Sequence, residues 1–426
     1  MHRRSCLPES NGSSEVAPKV AVLDTIHGAG LIAERMRAKG IDASALEVYH
    51  NTPDVSAFDL IVAPVHLSPE NPALKEARRL GKEVVTHHRA VGDLLAGERD
   101  FRAFEVTGTR GKTTTALILA RILSSGRTVE SHTTRGIEIW KDGENKLVRS
   151  GLSITPANVI LAFDAAREAR ADDLISEVSL GGTGVADFGV LTSFSGDYKI
   201  ADKTIWASTA KLQMVSLSKR GSKLVAGEDV KISADVTFGS GPRGSVWSTG
   251  REIRAGEKKA HLHLGEGFDL DSYAAAISGA CAAALAAGFD LEEISSALEG
   301  FEGLGGRMKD TDEDGILVID NSNSGLRASG VEAALDHAGG GGGRLALVVG
   351  EEAETVCEGM DIPALIDLLS RRRQKIDQLI LVGERLSPFA SNLSAEFAPD
   401  LDSGLAMAKS ASVRGDTIIS CVKCFR

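Results

Sequence analysis

The residues best suited to chemistry form one glycine-rich loop: Gly108, Thr109, Arg110, Gly111, Lys112, Thr113 and Thr114. The backbone N–H groups of such a loop, with those of a following helix, form a cradle for phosphate oxygens. Within it, Lys112 would reach the terminal phosphates and the Thr113 hydroxyl would ligate Mg²⁺. Counted from Gly108, the loop is shorter than the common G-x-x-x-x-G-K-S/T pattern, so an ordinary turn is the alternative. The Lys–Thr pair favours nucleotide binding.

A loop of this kind needs a strand before it and a helix after it, and the sequence predicts both. The stretch FRAFEVTG is typical of a buried strand, and ALILARILSSG of a helix. DLISEVSL and DFGVLTSF predict further buried strands of a parallel sheet, and Ala274 to Ala287 predicts a helix. From Val225 to His263, short alternating segments predict antiparallel strands at an edge of this block.

Strand and helix patterns also alternate in the block that precedes the loop, which predicts a small parallel α/β domain. Strands are expected in KVAVLD, LEVYH, FDLIVAPVHL and KEVVTHHRAV, and helices in LIAERMRAKG and PALKEARRLG. The turn His27-Gly28-Ala29-Gly30 lacks the full glycine fingerprint of a dinucleotide site. It is therefore interpreted as a plain strand-to-helix turn.

A third alternating α/β block follows FEGLGGRMK, and it completes the predicted organisation. The glycine run Gly339 to Gly343 lies between a predicted helix and a predicted strand, so it is interpreted as a flexible connection. The predicted divisions are a disordered leader over 1–18, an N-terminal substrate-binding domain over 19–97, an ATP-binding domain over 98–300 and a C-terminal domain over 301–426.

Composition restricts the possible partners. With 48 Lys and Arg residues against 59 Asp and Glu residues, the 426-residue chain has a formal charge of −11. Nonspecific nucleic-acid affinity depends on a surplus of basic residues, so we expect no nucleic-acid partner. The most apolar stretch, Tyr273 to Phe289, is too short to cross a bilayer comfortably, and we expect no membrane partner.

The N-terminus and the cysteines indicate a cytoplasmic protein. No apolar segment follows the basic residues of MHRRSCLPESNGSSEVAPK, unlike in a secretory signal. The odd count of five cysteines fits reduced thiols rather than a disulfide framework. Cys421 and Cys424 have the spacing of half a zinc site, but a second ligand pair is missing, which favours a structural role.

The phosphate loop resembles the TGTxGKTT loop of the Mur ligase superfamily, the ATP-dependent ligases that include peptidoglycan amino-acid ligases and folylpolyglutamate synthetase. The resemblance implies a three-domain α/β architecture: a small N-terminal α/β domain, a central P-loop ATPase domain with a parallel sheet, and a C-terminal Rossmann-like domain. It also implies ATP and Mg²⁺ as cofactors. A carboxylate would be activated as an acyl phosphate.

The same resemblance implies roles for residues beyond the loop. Glu177-Val178-Ser179 matches the family's Mg²⁺-binding Glu-x-Ser stretch, and Ala210-Lys211-Leu212 resembles the segment whose lysine several members carbamylate as a further Mg²⁺ ligand. Taken alone, Lys211 is a helix-surface lysine. Arg307 and Asp320 match the arginine and aspartate that contact the nucleotide. The catalytic group would be Lys112, Glu177 and Lys211.

Some segments depart from the amino-acid-adding ligases. Asp197-Tyr198 stands where the family has an Asp-His pair, and the hinge continues as Asp320-Asn321-Ser322-Asn323-Ser324-Gly325. Within the superfamily, VLDTIHGAGLIAERM, SFSGDYKIADKTIWASTAKLQM and ISCVKCFR are similar to the cyclo-ligases of methanogenic archaea. These ligases use ATP to close a cyclohexanone ring on the nickel tetrapyrrole seco-F(430). The resemblance implies a nickel-tetrapyrrole substrate and contact with other enzymes of the same pathway.

Candidate contacts for a polyacidic tetrapyrrole lie near predicted strand ends, where an α/β sheet binds its ligands. We expect two or three real contacts from a set that includes His27, His88, Arg89 and Arg135; the alternative is that most are surface residues. Two other functions remain open at this point. One is an amide ligase of the pseudomurein or folate type, and the other is a noncatalytic ATP-binding regulator.

Overall fold

The computed structural model describes residues 5–7, 18–339, 343–352 and 359–425. Most of the predicted leader, the centre of the Gly339–Gly343 run and Cys357 therefore lie outside the described residues. The chain divides into two compact units. The first comprises Met1–Leu262 and Ala274–Leu298, and the second comprises His263–Tyr273 and Glu299–Arg426.

The first unit begins with a four-stranded parallel sheet in the order β2-β1-β3-β4. Its elements are β1 Lys19–Leu23, α1 Ala29–Ala38, β2 Asp42–Leu46, β3 Leu60–Ala63, α2 Pro72–Arg79, β4 Glu83–Thr86 and α3 His87–Leu95. The alternation predicted for this block is confirmed, although the strand expected in LEVYH lies four residues earlier in the chain, over Asp42–Leu46.

The expected strand over KEVVTHHRAV was wrong in its second half. Strand β4 ends at Thr86, and helix α3 begins at His87. The cause is local, because the Thr86 side chain accepts a hydrogen bond from the backbone N–H of Arg89, as an N-cap does. His87 and His88 consequently lie in the first turn of a helix rather than at the end of a strand.

The first unit also contains an eleven-stranded sheet in the order β17-β16-β15-β14-β13-β10-β5-β9-β6-β7-β8. Its strands are β5 Arg102–Thr107, β6 Val129–Thr133, β7 Gly136–Lys141, β8 Glu144–Arg149, β9 Asp173–Glu177, β10 Phe188–Leu191, β13 Lys223–Gly227, β14 Val236–Gly239, β15 Val246–Thr249, β16 Glu252–Ala255 and β17 Lys258–His261. The strands from β15 to β6 are parallel, and antiparallel strands flank them on both sides.

The helices of this block are α4 Lys112–Leu123, α5 Val159–Glu168, α6 Ala207–Lys211, α7 Gln213–Ser216, α8 Leu270–Ala286 and α9 Leu291–Ala297, with α8 belonging to the first unit from Ala274 onward. A small antiparallel pair is formed by β11 Lys199–Ile200 and β12 Ile205–Trp206. The expectation of antiparallel strands over Val225 to His263 was only partly right. Parallel pairing continues from β13 through β15, and antiparallel pairing begins between β15 and β16. In this described stretch no helix lies between β13 and β14 or between β14 and β15. The sequence pattern was therefore like that of antiparallel strands joined by turns.

The second unit has a six-stranded sheet in the order β18-β19-β23-β20-β21-β22, parallel except for the pair β18 and β19. Its elements are β18 Lys309–Glu313, β19 Ile316–Asp320, α10 Ala328–His337, β20 Leu345–Glu351, α11 Ile362–Arg372, β21 Gln378–Val382, α12 Ala390–Leu393, β22 Glu396–Ala398, α13 Leu401–Ala411 and β23 Thr417–Lys423. Cys421 and Cys424 are buried, and neither forms a disulfide.

Both units bury apolar strands on both faces of their parallel sheets, as the continuous apolar runs predicted. Strand β10 is buried along its whole length, and so is β23. Among the described residues, no helix combines the length and the apolar character needed to cross a membrane.

Candidate active site

The phosphate loop lies between the end of β5 at Thr107 and the start of α4 at Lys112. Gly108 and Gly111 have φ angles of 152° and 77°, which favour glycine. A Cβ atom on Gly108 would lie 2.0 Å from Thr192 Oγ1. The loop therefore needs glycine here both for its backbone conformation and for its close approach to the neighbouring chain.

The segment after β10 holds the loop in shape. The Thr192 hydroxyl, 3.1 Å from the Thr107 carbonyl oxygen, is also 2.5 Å from the Arg110 carbonyl oxygen, to which it can donate. The Thr109 hydroxyl lies 2.7 Å from the Ser195 carbonyl oxygen, and the Thr109 N–H donates to the Ser193 carbonyl. Hydrogen bonds therefore run in both directions between the loop and this segment, and they hold the backbone of the phosphate cradle in place.

Lys112, Thr113 and Glu177 meet at the start of α4. The Thr113 hydroxyl donates to Glu177 Oε2 at 2.8 Å, and Lys112 Nζ lies 3.8 Å from Glu177 Oε1. The Glu177 side chain is 1% exposed. A carboxylate and a hydroxyl in contact are hard oxygen ligands, which suit Mg²⁺ beside a phosphate. The residues present thus fit both a polyphosphate and its divalent cation.

Lys211 is buried at the end of α6, with only 1% of its surface exposed. This differs from the helix-surface lysine that the residue suggests when taken alone. Gly181 allows the close approach, since a Cβ atom there would lie 3.1 Å from the Ala210 carbonyl oxygen and 2.8 Å from Gln213 Cβ. Because Gly181 has no side chain, the helix that ends at Lys211 can pack close to it.

Asp197 anchors the helix that carries Lys211. Its carboxylate accepts hydrogen bonds from the Ser208 backbone N–H at 3.0 Å and from the Ser208 hydroxyl at 2.5 Å. The aspartate of the Asp197-Tyr198 pair thus has a defined structural contact. The sequence alone does not indicate this contact, because Asp197 and Ser208 are eleven positions apart.

His88 lies beside the same segment. Its Nε2 atom is 2.7 Å from the Ser179 carbonyl oxygen, and its Nδ1 atom is 3.3 Å from Gln213 Nε2. Burial, with a smaller contribution from the charge of Lys211, lowers the pKa of His88 to about 4. The imidazole is therefore neutral near pH 7, which fits a hydrogen-bonding role rather than a charged one.

The remaining substrate candidates occupy separate positions in the first unit. Arg89 Nε is 3.9 Å from Asp93 Oδ2, and Arg135 Nη2 is 3.0 Å from Glu138 Oε1. Both arginine side chains are about one-third exposed, so a ligand could reach part of each. Their roles stay predictions.

His27 belongs to a compact group at the end of β1 that the sequence analysis did not assemble. Its Nδ1 atom lies 2.7 Å from Asp24 Oδ2, and the Tyr49 hydroxyl donates to the same oxygen at 2.9 Å. Burial opposes ionisation of Asp24, but hydrogen bonds from His27, His66 and Tyr49 hold its pKa well below its usual value. In the sequence, the one feature that pointed to this group was the aspartate that ends the predicted strand KVAVLD.

Arg307 and Asp320 both lie in the second unit. Asp320 ends β19, and its carboxylate accepts hydrogen bonds from the backbone N–H groups of Gly306 at 2.9 Å and Ser322 at 3.1 Å. Gly306 precedes Arg307 directly, so the aspartate orders the stretch that carries the arginine. Asn323 donates to the Gly306 carbonyl and strengthens this link.

Comparison with known proteins identifies the family. A coenzyme F(430) synthetase from Methanosarcina acetivorans is 36% identical to this chain over an alignment that covers 96% of the chain and 99% of the relative. The chain belongs to the coenzyme F(430) synthetase family. The family model described as coenzyme F430 synthetase CfbE, C-terminal domain, matches residues 310–424. As a member of this family, the chain is an ATP-dependent Mur-like ligase, which confirms the expected superfamily.

Solved structures show the same fold. A bifunctional folylpolyglutamate synthase/dihydrofolate synthase from Yersinia pestis, complexed with AMPPNP and Mn, has a TM-score of 0.58 at 19% identity and covers 80% of this chain and 90% of its own. A pseudomurein peptide ligase type C from Methanothermus fervidus has a TM-score of 0.52 at 19% identity, over 95% of this chain and 97% of its own. The predicted Mur-ligase-like α/β architecture is therefore confirmed.

Proposed function

We propose that this protein closes the cyclohexanone ring of the nickel tetrapyrrole seco-F(430), using ATP to activate a propionate side chain of the substrate. Family membership over nearly the whole chain is the main support. The contact of Thr113 with Glu177, at 2.8 Å beside Lys112, is the structural observation on which the mechanism depends. The nickel ion belongs to the substrate rather than to the protein.

Bound ATP with Mg²⁺ supplies a γ-phosphoryl group and a divalent charge. The backbone of Gly108 to Gly111 would hold the phosphates, and Lys112 would neutralise charge on the transferring group. Thr113 and Glu177 would hold the cation. Arg307 and Asp320 would contact the nucleotide, as the superfamily resemblance implies.

The first chemical step forms an acyl phosphate. A carboxylate is a poor electrophile, but its oxygen can attack the γ-phosphorus while ADP leaves. Lys112 would contribute by positioning and by charge compensation, and no enzyme nucleophile is needed. The product of this step carries a good leaving group on the carbonyl carbon.

The second step closes the ring. A carbon of the same bound tetrapyrrole attacks the carbonyl carbon, phosphate leaves, and the attacking carbon loses a proton. The altered hinge sequence from Asp320 to Gly325 fits this reaction, because no amino-acid acceptor has to be bound. His27, His88, Arg89 and Arg135 remain our candidates for contacts with the substrate, with His88 as a neutral hydrogen-bonding group.

Lys211 completes the proposed metal site as a carbamate. Lys211 is buried, and its charge acts on His88, which contacts the Ser179 carbonyl oxygen. Such a lysine could react with CO₂ to give a carboxylate, which is a better ligand for Mg²⁺ than an ammonium group. Adding ¹³C-bicarbonate to the protein should give a carbamate carbon signal by NMR. The signal should be absent in Lys211→Met and present in the exposed-lysine control Lys203→Met.

ADP release tests the proposed function directly. The purified protein should release ADP with the nickel tetrapyrrole acid and Mg²⁺, and amino acids should not be required. Release that depends on an amino acid would instead support an amide ligase, and ATP binding without any release would support a regulator. We propose that the reaction takes place in the cytoplasm, where ATP is available, and that other enzymes of the pathway deliver the substrate.

A further inference from the structure

Three potential metal ligands converge at the carboxyl end of the first sheet. Asp24 Oδ2 lies 2.7 Å from His27 Nδ1 and 3.3 Å from His66 Nε2. The two histidine nitrogens are 3.3 Å from each other. Among the described residues, this is the one cluster of three or more His, Cys, Asp or Glu side chains whose ligand atoms are close enough to share an ion.

The spacing matches a tetrahedral metal site. With metal–ligand bonds of about 2.0–2.1 Å, neighbouring ligand atoms of a tetrahedral Zn²⁺ ion are separated by about 3.3 Å. Two of the three separations have this value. The shorter contact, between Asp24 and His27, is a hydrogen bond that would lengthen when an ion replaces the shared proton.

Without an ion, both histidines can donate to Asp24 Oδ2, so the carboxylate holds the two imidazole nitrogens close together. When the proton of each ring moves to its other nitrogen, all three atoms can offer lone pairs to one cation.

The surroundings of Asp24 resemble the support of a metal ligand. Its Oδ1 atom accepts hydrogen bonds from the backbone N–H groups of Ile26 and His27, both at 3.1 Å, which directs Oδ2 toward the histidines. The residue is fully buried and has a φ angle of 80°, a region that residues other than glycine seldom occupy. Functional sites are where such backbone strain concentrates.

We propose that Asp24, His27 and His66 bind one divalent first-row transition-metal ion, with Zn²⁺ as the best fit. Two imidazoles and one carboxylate are the ligand set of sites that keep a fourth position open. The His27 and His66 side chains are 25% and 29% exposed, so the ion can enter, and the open position can take water or an anionic oxygen of a ligand. This site is separate from the phosphate loop, and the inference does not rest on the proposed function.

Zinc titration of the full chain tests the proposal without nucleotide or tetrapyrrole. After treatment with a chelator, calorimetry should show one equivalent of Zn²⁺ bound with micromolar or better affinity. Co²⁺ should give the strong visible absorption of a tetrahedral complex. We expect His66→Ala and the size-conserving His27→Gln each to weaken Zn²⁺ binding at least 100-fold, while circular dichroism shows that both variants remain folded.

His50→Ala is the matched control, since His50 is an exposed histidine of the same block. It should bind Zn²⁺ as the wild type does. Binding weaker than millimolar in the wild type would overturn the proposal, as would wild-type affinity in both His66→Ala and His27→Gln. A failure of ADP release with tetrapyrrole would contradict the proposed function and leave this result unaffected.

Discussion

Replacing Glu177 by glutamine should raise the Mg²⁺ requirement of the enzyme with little change in shape. The substitution removes one negative charge from a side chain that is 1% exposed and lies 3.8 Å from Lys112 Nζ. At an effective dielectric constant of about 20, two unit charges at this separation attract by about 4 kcal/mol before desolvation is counted. The carboxylate therefore matters for the local charge balance as well as for the cation.

The size of the expected effect follows from the ligand role. Loss of a group that supports a metal typically costs about 10–100-fold in affinity, and Glu177 would contact the ion itself. We expect the Mg²⁺ concentration at half-maximal ADP release to rise by at least about tenfold, or about 1.4 kcal/mol. The Thr113 hydroxyl can still donate to the glutamine carbonyl, so the fold should persist.

A neighbouring strand supplies the matched control. Glu130 on β6 is fully buried, and burial raises its pKa well above the usual value, which favours the uncharged carboxylic acid. Glu130→Gln is the same isosteric change at a carboxyl group whose uncharged form is favoured, and the Mg²⁺ midpoint should stay within about twofold of the wild type. An unchanged midpoint in Glu177→Gln would refute the assigned metal site.

Three further predictions each concern a single residue. Lys112→Ala should reduce ADP release by at least about 100-fold in a steady-state assay while circular dichroism stays unchanged, because charge compensation at the transferring group is lost; wild-type turnover would contradict the assignment. Gly108→Ala should abolish ATP binding in calorimetry, because its Cβ would lie 2.0 Å from Thr192 Oγ1, whereas Gly126→Ala, with no atom within 4 Å, should bind normally. The folded state holds the Glu130 proton that the unfolded chain releases above pH 4.5, so stability falls as pH rises above about 5. In urea unfolding, the free energy of unfolding of Glu130→Gln should rise relative to that of the wild type by up to about 1.4 kcal/mol per pH unit in this range. If the two proteins show the same dependence of unfolding free energy on pH, the effect is excluded.

The sequence was sufficient to predict the elements around the phosphate loop. A buried strand, a glycine turn and a helix are each determined by residues close together in the chain. Strand β5 lies where it was expected, and α4 begins four residues earlier than expected, at Lys112. The first block was also predicted as alternating α/β structure. The end of β4 was missed because the N-cap function of Thr86 depends on a single side-chain hydrogen bond.

Residues that are distant in the chain determine the rest of the site. Lys211 has an ordinary sequence environment, and the long-range contacts of its helix with Gly181 and Asp197 accompany its burial. The Asp24 group likewise combines residues from the ends of three segments, with His66 lying 39 residues beyond His27. Local sequence patterns cannot predict such long-range contacts, because the contacts depend on how the sheet packs.

The mass of the reaction product tests the central claim most directly. The protein would be incubated with ATP, Mg²⁺ and the nickel precursor, with and without a mixture of amino acids, and the tetrapyrrole would be analysed by mass spectrometry. Ring closure predicts a product lighter than the substrate by one water in both samples, with ADP formed in equal amount. A product heavier by an amino-acid residue would contradict ring closure and establish an amide ligase.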